Sequence, residues 1–178
     1  MIKTIRFGAA GIALFAAMGM SNAAFAQETA NATATAEVLD SLTLNNSAGL
    51  DFGTMVVDGA GTVSLAADGT LDCSAADIVC SGTSSVAAFD VTGTANKAVT
   101  INLPTGDIDL NHPDLSAASL PGQHTIVLNA FVSSEAGNEI TLDGAGDGNF
   151  TVGGTITFDG NEAAGIYTGS FDVSVEYS

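Results

Sequence analysis

Hydrophobic and polar residues alternate along most of this chain. Ala30, Ala32, Ala34, Ala36 and Val38 interleave with Asn31, Thr33, Thr35 and Glu37. A period of two puts one set on a single face, so the pattern predicts a half-buried β-strand. Leu42-Thr43-Leu44 continues it after a break at Asp40-Ser41. Further strands are predicted over 50–57, 62–66, 87–93, 98–103, 125–132, 139–142 and 150–158, the last interrupted by Gly153-Gly154. The final strand is the clearest. Tyr167, Phe171, Val173, Val175 and Tyr177 share one face, and Thr168, Ser170, Asp172, Ser174 and Glu176 share the other.

Turn chemistry separates these runs: Asp58-Gly59-Ala60-Gly61, Asp68-Gly69 and Asp143-Gly144-Ala145-Gly146-Asp147-Gly148. Asp-Gly pairs suit tight hairpins, because glycine tolerates the left-handed backbone such turns need. Residues 104–122 hold all three prolines and several Asp and Asn, and read as a long loop. No helical periodicity follows residue 26. About nine short strands with regular turns predict an all-β fold, a single antiparallel sandwich. A membrane barrel would need longer strands and aromatic girdles, which a chain with nine Phe and two Tyr does not supply.

The first 26 residues have a different character. Lys3 and Arg6 precede an apolar stretch from Phe7 to Met20, and Ala24-Phe25-Ala26 matches a small-residue cleavage site. This is the layout of a secretory signal. The expected organisation is a cleaved signal peptide over 1–26 and one β-sandwich domain over 27–178. The expected location is the periplasm, the cell surface or the medium, and the chain is not expected to span a membrane.

Removing the signal sharpens the charge asymmetry. Twenty Asp and Glu then face one basic residue, Lys97. Nucleic acid is bound through clustered Lys and Arg, so it is excluded as a partner. Hydrophobic residues make up 46% of the chain, which is enough for a core and excludes a disordered acidic tail.

Candidate chemistry is sparse. Cys73 and Cys80, the only cysteines, enclose six residues. In an exported chain an even pair predicts a disulfide, here a local staple. The Asp143–Gly148 turn and the stretch Asp107, Asp109, Asn111, Asp114 offer oxygens to Ca²⁺, yet both lack the spacing of a known calcium loop. His112 and His124 lack a third ligand at zinc spacing. No catalytic residues, cofactor or metal are therefore expected, and the chain is not expected to be an enzyme. A secreted binding module for glycan or Ca²⁺ is the alternative.

Two resemblances add to this. Gly165 is the fourteenth residue from the end, Tyr177 is penultimate, and the alternating face Tyr167, Phe171, Val173, Val175, Tyr177 lies between them. This resembles the terminal motif of chaperone–usher pilus subunits. The resemblance implies an incomplete immunoglobulin-like sandwich, with these positions facing a periplasmic chaperone and then the N-terminal strand of a neighbouring subunit. Ala30, Ala32, Ala34, Ala36 and Val38 would be the face of such a donor strand. Its partners would be that chaperone and copies of itself or related subunits. On residues alone, the N-terminal strand could equally pair within its own domain. Across residues 27–178 the chain also resembles the bacterial secreted family known as domain of unknown function 4402. That resemblance rests on Ala32-Thr-Ala-Thr35, Leu50-Asp-Phe-Gly53, Ala88-Phe-Asp-Val-Thr-Gly93, Phe150-Thr-Val-Gly-Gly-Thr155 and Gly165-Ile-Tyr-Thr-Gly169. The expected role is a pilin-like structural or adhesive surface protein, possible through donor-strand complementation.

Overall fold

A computed structural model describes residues 28–116 and 122–178. The predicted signal peptide and Pro121 lie outside the described residues. Chain contacts divide the protein into two units, Met1–Ala36 and Glu37–Ser178. The described part of the first unit, residues 28–36, is exposed and belongs to no strand.

The second unit is all-β. Its strands are β1 (Thr43–Ala48), β2 (Thr54–Val57), β3 (Gly61–Leu65), β4 (Leu71–Asp72), β5 (Ile78–Ser81) and β6 (Ala87–Thr92). They continue with β7 (Ala98–Asn102), β8 (Ile108–Asn111), β9 (Thr125–Ser133), β10 (Glu139–Thr141), β11 (Asp147–Phe158) and β12 (Ser174–Tyr177). One short 3₁₀ turn, Ala136–Asn138, separates β9 from β10. No helix among the described residues is long and apolar enough to cross a membrane.

The longest strand, β11, organises the main sheet. Its first half pairs with β6, from Asp147↔Thr92 to Val152↔Ala87. Its second half pairs with β3, from Gly154↔Leu65 to Phe158↔Gly61. β9 pairs with it from Val152↔Ser133 to Thr157↔Val127. β1 extends the sheet beyond β6, β4 lies beyond β3, and β8 lies beyond β9. A second sheet has the order β10-β7-β12, and β2 pairs with β5 as a two-stranded ribbon. Every ladder is antiparallel. The arrangement is consistent with the expected β-sandwich.

Period-two alternation explains what is buried. Ala87, Phe89 and Val91 of β6 are buried while Asp90 and Thr92 are exposed. Two core clusters result. One gathers Val63, Leu65, Ile126, Leu128, Ile156 and Phe158 with neighbours. The other gathers Phe89, Val91, Val99, Ile101, Phe150 and Val152 with neighbours. Phe131 and Phe171 pack against both, their rings 4.8 Å apart, and join the halves.

Several expectations need correction. Twelve strands form among the described residues, not nine. β8 lies inside the stretch read as a loop: Ile108 and Leu110 alternate with Asp109 and Asn111, and four residues of alternation were masked by the Asp and Asn around them. β5 was missed because it carries Cys80 within the apparent excursion. β11 crosses Gly153-Gly154 without ending, marked only by a register shift. The run 30–38 makes no ladder, and its five apolar positions are exposed. Alanine alternation carries the strand period but buries little area per residue, so it forces no packing. The final strand is shorter than predicted: residues 169–173 are in no ladder, and only Ser174–Tyr177 pairs, with β7.

The disulfide forms between Cys73 and Cys80, linking the end of β4 to β5. It closes a short loop and contributes at most about 2–3 kcal/mol in the chain-entropy model. Phe150 is 2% exposed at the centre of its cluster. Truncating such a residue costs about 3–5 kcal/mol. Urea unfolding is therefore expected to show a larger loss for Phe150→Ala than for the double variant Cys73→Ser/Cys80→Ser.

Candidate functional site

The C-terminal run keeps its predicted alternation although only its last part joins a sheet. Tyr167, Phe171, Val173, Val175 and Tyr177 are each half-buried, and Thr168, Ser170, Asp172, Ser174 and Glu176 are each exposed. None of the apolar five is fully covered. Tyr177 ends the run in a clasp. Its hydroxyl donates to the Asp40 carbonyl at 2.8 Å and accepts from the Thr94 N–H at 2.7 Å. Gly93 makes room for it, since a Cβ there would lie 2.5 Å from the Tyr177 oxygen.

Upstream, the run is held by contacts other than ladders. Thr168 and Asn111 exchange backbone hydrogen bonds at 2.8 and 3.0 Å. The Tyr167 hydroxyl reaches the carbonyl oxygens of Gln123 and Ala163, at 2.7 and 2.8 Å. His112 sets its ring edge against Tyr167 and its Nε2 3.4 Å from the Ala164 carbonyl. Gly165 is where that imidazole sits, because a Cβ there would fall 1.9 Å from Nε2.

Opposite lies the run from Gly49 to Val57. The expected single strand over 50–57 is interrupted at Asp51. The Asp51 carboxylate accepts from the Gly53 N–H at 2.8 Å, and Gly53 takes φ 82°. An isolated bridge, Asp51↔Ser85, replaces a ladder at this corner before β2 begins. The Asp-x-Gly inside an apolar stretch was the available signal for the break.

Between the two runs a groove of about 940 Å³ opens, lined by residues 49–57 on one side and 162–171 on the other. Its floor includes Phe89, Ile126, Leu128, Ile156 and Phe158. Strands rise ~3.3 Å per residue, neighbours lie ~4.7 Å apart and packed sheets ~10 Å apart, so one strand residue takes about 150 Å³. The groove therefore holds about six residues of one extended strand, by that measure. Sequence reasoning singled out the C-terminal wall but not the floor, which is drawn from three separate strands, β6, β9 and β11.

The remaining candidates are structural. Asp143 accepts from the N–H groups of Ala145 and Asp147 at 2.8 and 2.9 Å. The Asp147 and then the Ala145 bond hold its carboxyl below the ordinary value of 3.8. This is a capped turn. Asp107 accepts from the Asn129 amide, and the Asn111 amide donates to the Asp109 carbonyl. Among the described residues no three His, Cys, Asp or Glu converge on a metal-binding geometry. His112 and His124 share a backbone bond, from the His112 N–H to the His124 carbonyl. The first unit carries Ala30, Ala32, Ala34 and Ala36, all exposed, and Val38 at the start of the second is 92% exposed.

An all-β antiparallel domain with an exposed N-terminal segment and an apolar-floored groove is the class these features define. The chain belongs to the family described as Domain of unknown function (DUF4402), whose model matches residues 42–177. The match begins where β1 is about to start. No curated protein matches the chain.

Tyr177→Phe removes both clasp bonds, with an expected cost of about 1–2 kcal/mol in denaturant titrations. It also leaves Tyr167 as the sole phenol. Burial, then the nearby Glu162 carboxylate, pushes that phenol above the ordinary 10.0. The folded state thus holds this proton more tightly than the unfolded chain does. Its contribution is complete below the unfolded value and is lost as pH rises through the raised one. Phenolate absorbance of the folded Tyr177→Phe protein is expected to appear at higher pH than in urea. For Asp143 the sign reverses, because its folded value is depressed. Asp143→Ala is expected to lower the melting temperature at pH 7, and the difference to vanish as acid protonates the wild-type carboxylate.

Proposed function

We propose that the protein is an exported, non-enzymatic surface subunit, structural or adhesive, whose sandwich is immunoglobulin-like in plan and is completed by a strand from a neighbouring chain. The observation that carries the reading is the groove. Its C-terminal wall shows a half-buried apolar face and no ladder partner over residues 169–173. Backbone N–H and C=O groups along an unpaired edge are what strand addition uses for affinity, and alternate side chains supply fit. The exposed N-terminal segment, with Ala30, Ala32, Ala34, Ala36 and Val38 on one face, is the donor that the sequence supplies. A periplasmic chaperone would hold the C-terminal run before assembly, with Gly165, Tyr167, Phe171, Val173, Val175 and Tyr177 facing it. The signal-like first 26 residues and the Cys73–Cys80 disulfide support an oxidising destination beyond the inner membrane.

The test compares residues 27–178 with the same chain lacking 27–38, by size-exclusion chromatography with light scattering. The longer chain is expected to form a series of multimers. The shorter one is expected to stay monomeric and to take up a 28–38 peptide. A monomeric longer chain that the truncation unfolds would show instead that the segment belongs to its own domain.

A further inference from the structure

Single exposed aliphatic residues are ordinary, but several gathered in one place mark a contact surface. Val56 on one wall of the groove is 57% exposed, and Ile166 on the other is 76% exposed. Val79 is 62% exposed and is the register partner of Val56 across the β2–β5 ribbon, so the apolar rim continues onto β5. Of the five large hydrophobic residues exposed among the described ones, three therefore stand at or beside this groove.

The charge around this rim has one sign. Asp51 and Glu162 are among the lining residues, and no Lys or Arg is. The Asp58 N–H donates to the Asp77 carbonyl at 2.8 Å, one position beyond the Val57↔Ile78 pair. Both side chains are exposed, and alternation puts them on the ribbon face that carries Val56 and Val79. Like charges opposite one another across a ladder are unfavourable. The chain has no cation to spare for them. Beyond residue 26 its only Lys or Arg is Lys97, which pairs with Glu37 at 2.6 Å.

We propose that the groove's best-matched occupant is an extended segment of a different protein, apolar along one face and flanked by Lys or Arg. The proposal rests on the strand-accepting reading above and adds the chemistry of the preferred strand. The apolar face covers Val56 and Ile166, and the flanking cations lie beside Asp51, Glu162, Asp58 and Asp77. A second copy of this chain lacks those cations. Its 28–38 segment carries Glu28 and Glu37 and no Lys or Arg. Donation between copies therefore sets carboxylates against carboxylates, so it is the weaker mode and gains from added salt. Opposite charge also speeds the encounter with a basic partner, and that gain fades as salt screens it.

The experiment uses residues 27–178, dilute enough to be monomeric by light scattering, and two labelled peptides. One is 28–38, and the other is the same peptide with Glu28→Lys and Glu37→Lys. Fluorescence anisotropy is expected to show the lysine peptide binding about tenfold tighter at about 20 mM NaCl, with the advantage falling to about threefold or less at about 300 mM. The double variant Asp58→Asn/Asp77→Asn is expected to reduce that advantage without lowering the melting temperature, because both side chains are exposed. Val56→Ser/Ile166→Ser is expected to weaken both peptides alike. Equal binding of the two peptides at low salt would overturn the charge rule and leave strand acceptance standing. So would a lysine peptide that binds the Val56→Ser/Ile166→Ser protein at full strength, since its cations would then be adhering to the acidic surface at large. If neither peptide binds at either salt, strand acceptance itself fails, and this proposal with it.

Discussion

The domain depends on one strand being able to change partners. β11 pairs first with β6 and then with β3, and the exchange falls at Gly153 and Gly154. A Cβ on Gly153 would lie 2.0 Å from the Leu65 carbonyl oxygen and close to the backbone at Ala66 and Ala67. Only hydrogen fits there. Because the side chain is missing, the chain of β3 can approach, and Ser64 can bond Thr155 at 2.8 Å. β11 supplies Phe150 and Val152 to one core cluster and Ile156 and Phe158 to the other. A bulkier residue at this crossing would separate the two halves of the core as well as two strands.

The groove is the counterpart of that arrangement. Three strands, β6, β9 and β11, contribute its floor, and its side chains are buried against one another. The walls come from stretches outside the main sheet, residues 49–57 with β2 at their end and residues 162–171. On one side the Asp51 side chain diverts the backbone before β2 can start. On the other, residues 162–171 are tethered through Tyr167, Thr168 and His112 and share only one bridge with a strand. On the strand-accepting reading proposed above, a packed floor between walls tied by few bridges is where a strand would enter.

Much of this could be read from residue order. Strong alternation with β-branched or aromatic residues located β6, β7, β9 and β12, because each inward position buries enough area to fix its register. The 30–38 stretch has the same period but mostly methyl side chains, and it joins no ladder among the described residues. Period alone therefore marks a capacity to form a strand, and side-chain bulk decides whether the strand is used locally. β8 was hidden by its acidic neighbours. The terminal residues Tyr167 to Tyr177 were legible as one face. The floor they stand over was not, because Phe89, Ile126, Leu128, Ile156 and Phe158 meet only through long-range pairing. The two Asp-rich stretches looked like ligand sets because carboxylates that cap turns and carboxylates that bind cations have the same composition. The N–H groups around Asp143 make the distinction.

The Tyr177 clasp also sets an order of events in folding. It joins residues 137 positions apart, so the first strand's entry point and the last strand are secured by the same hydroxyl. Contacts of such long separation must wait for loop closure, and chains dominated by them fold slowly. A growing chain cannot close this clasp until Tyr177 has emerged, whereas the β1–β6 ladder needs nothing beyond Thr92.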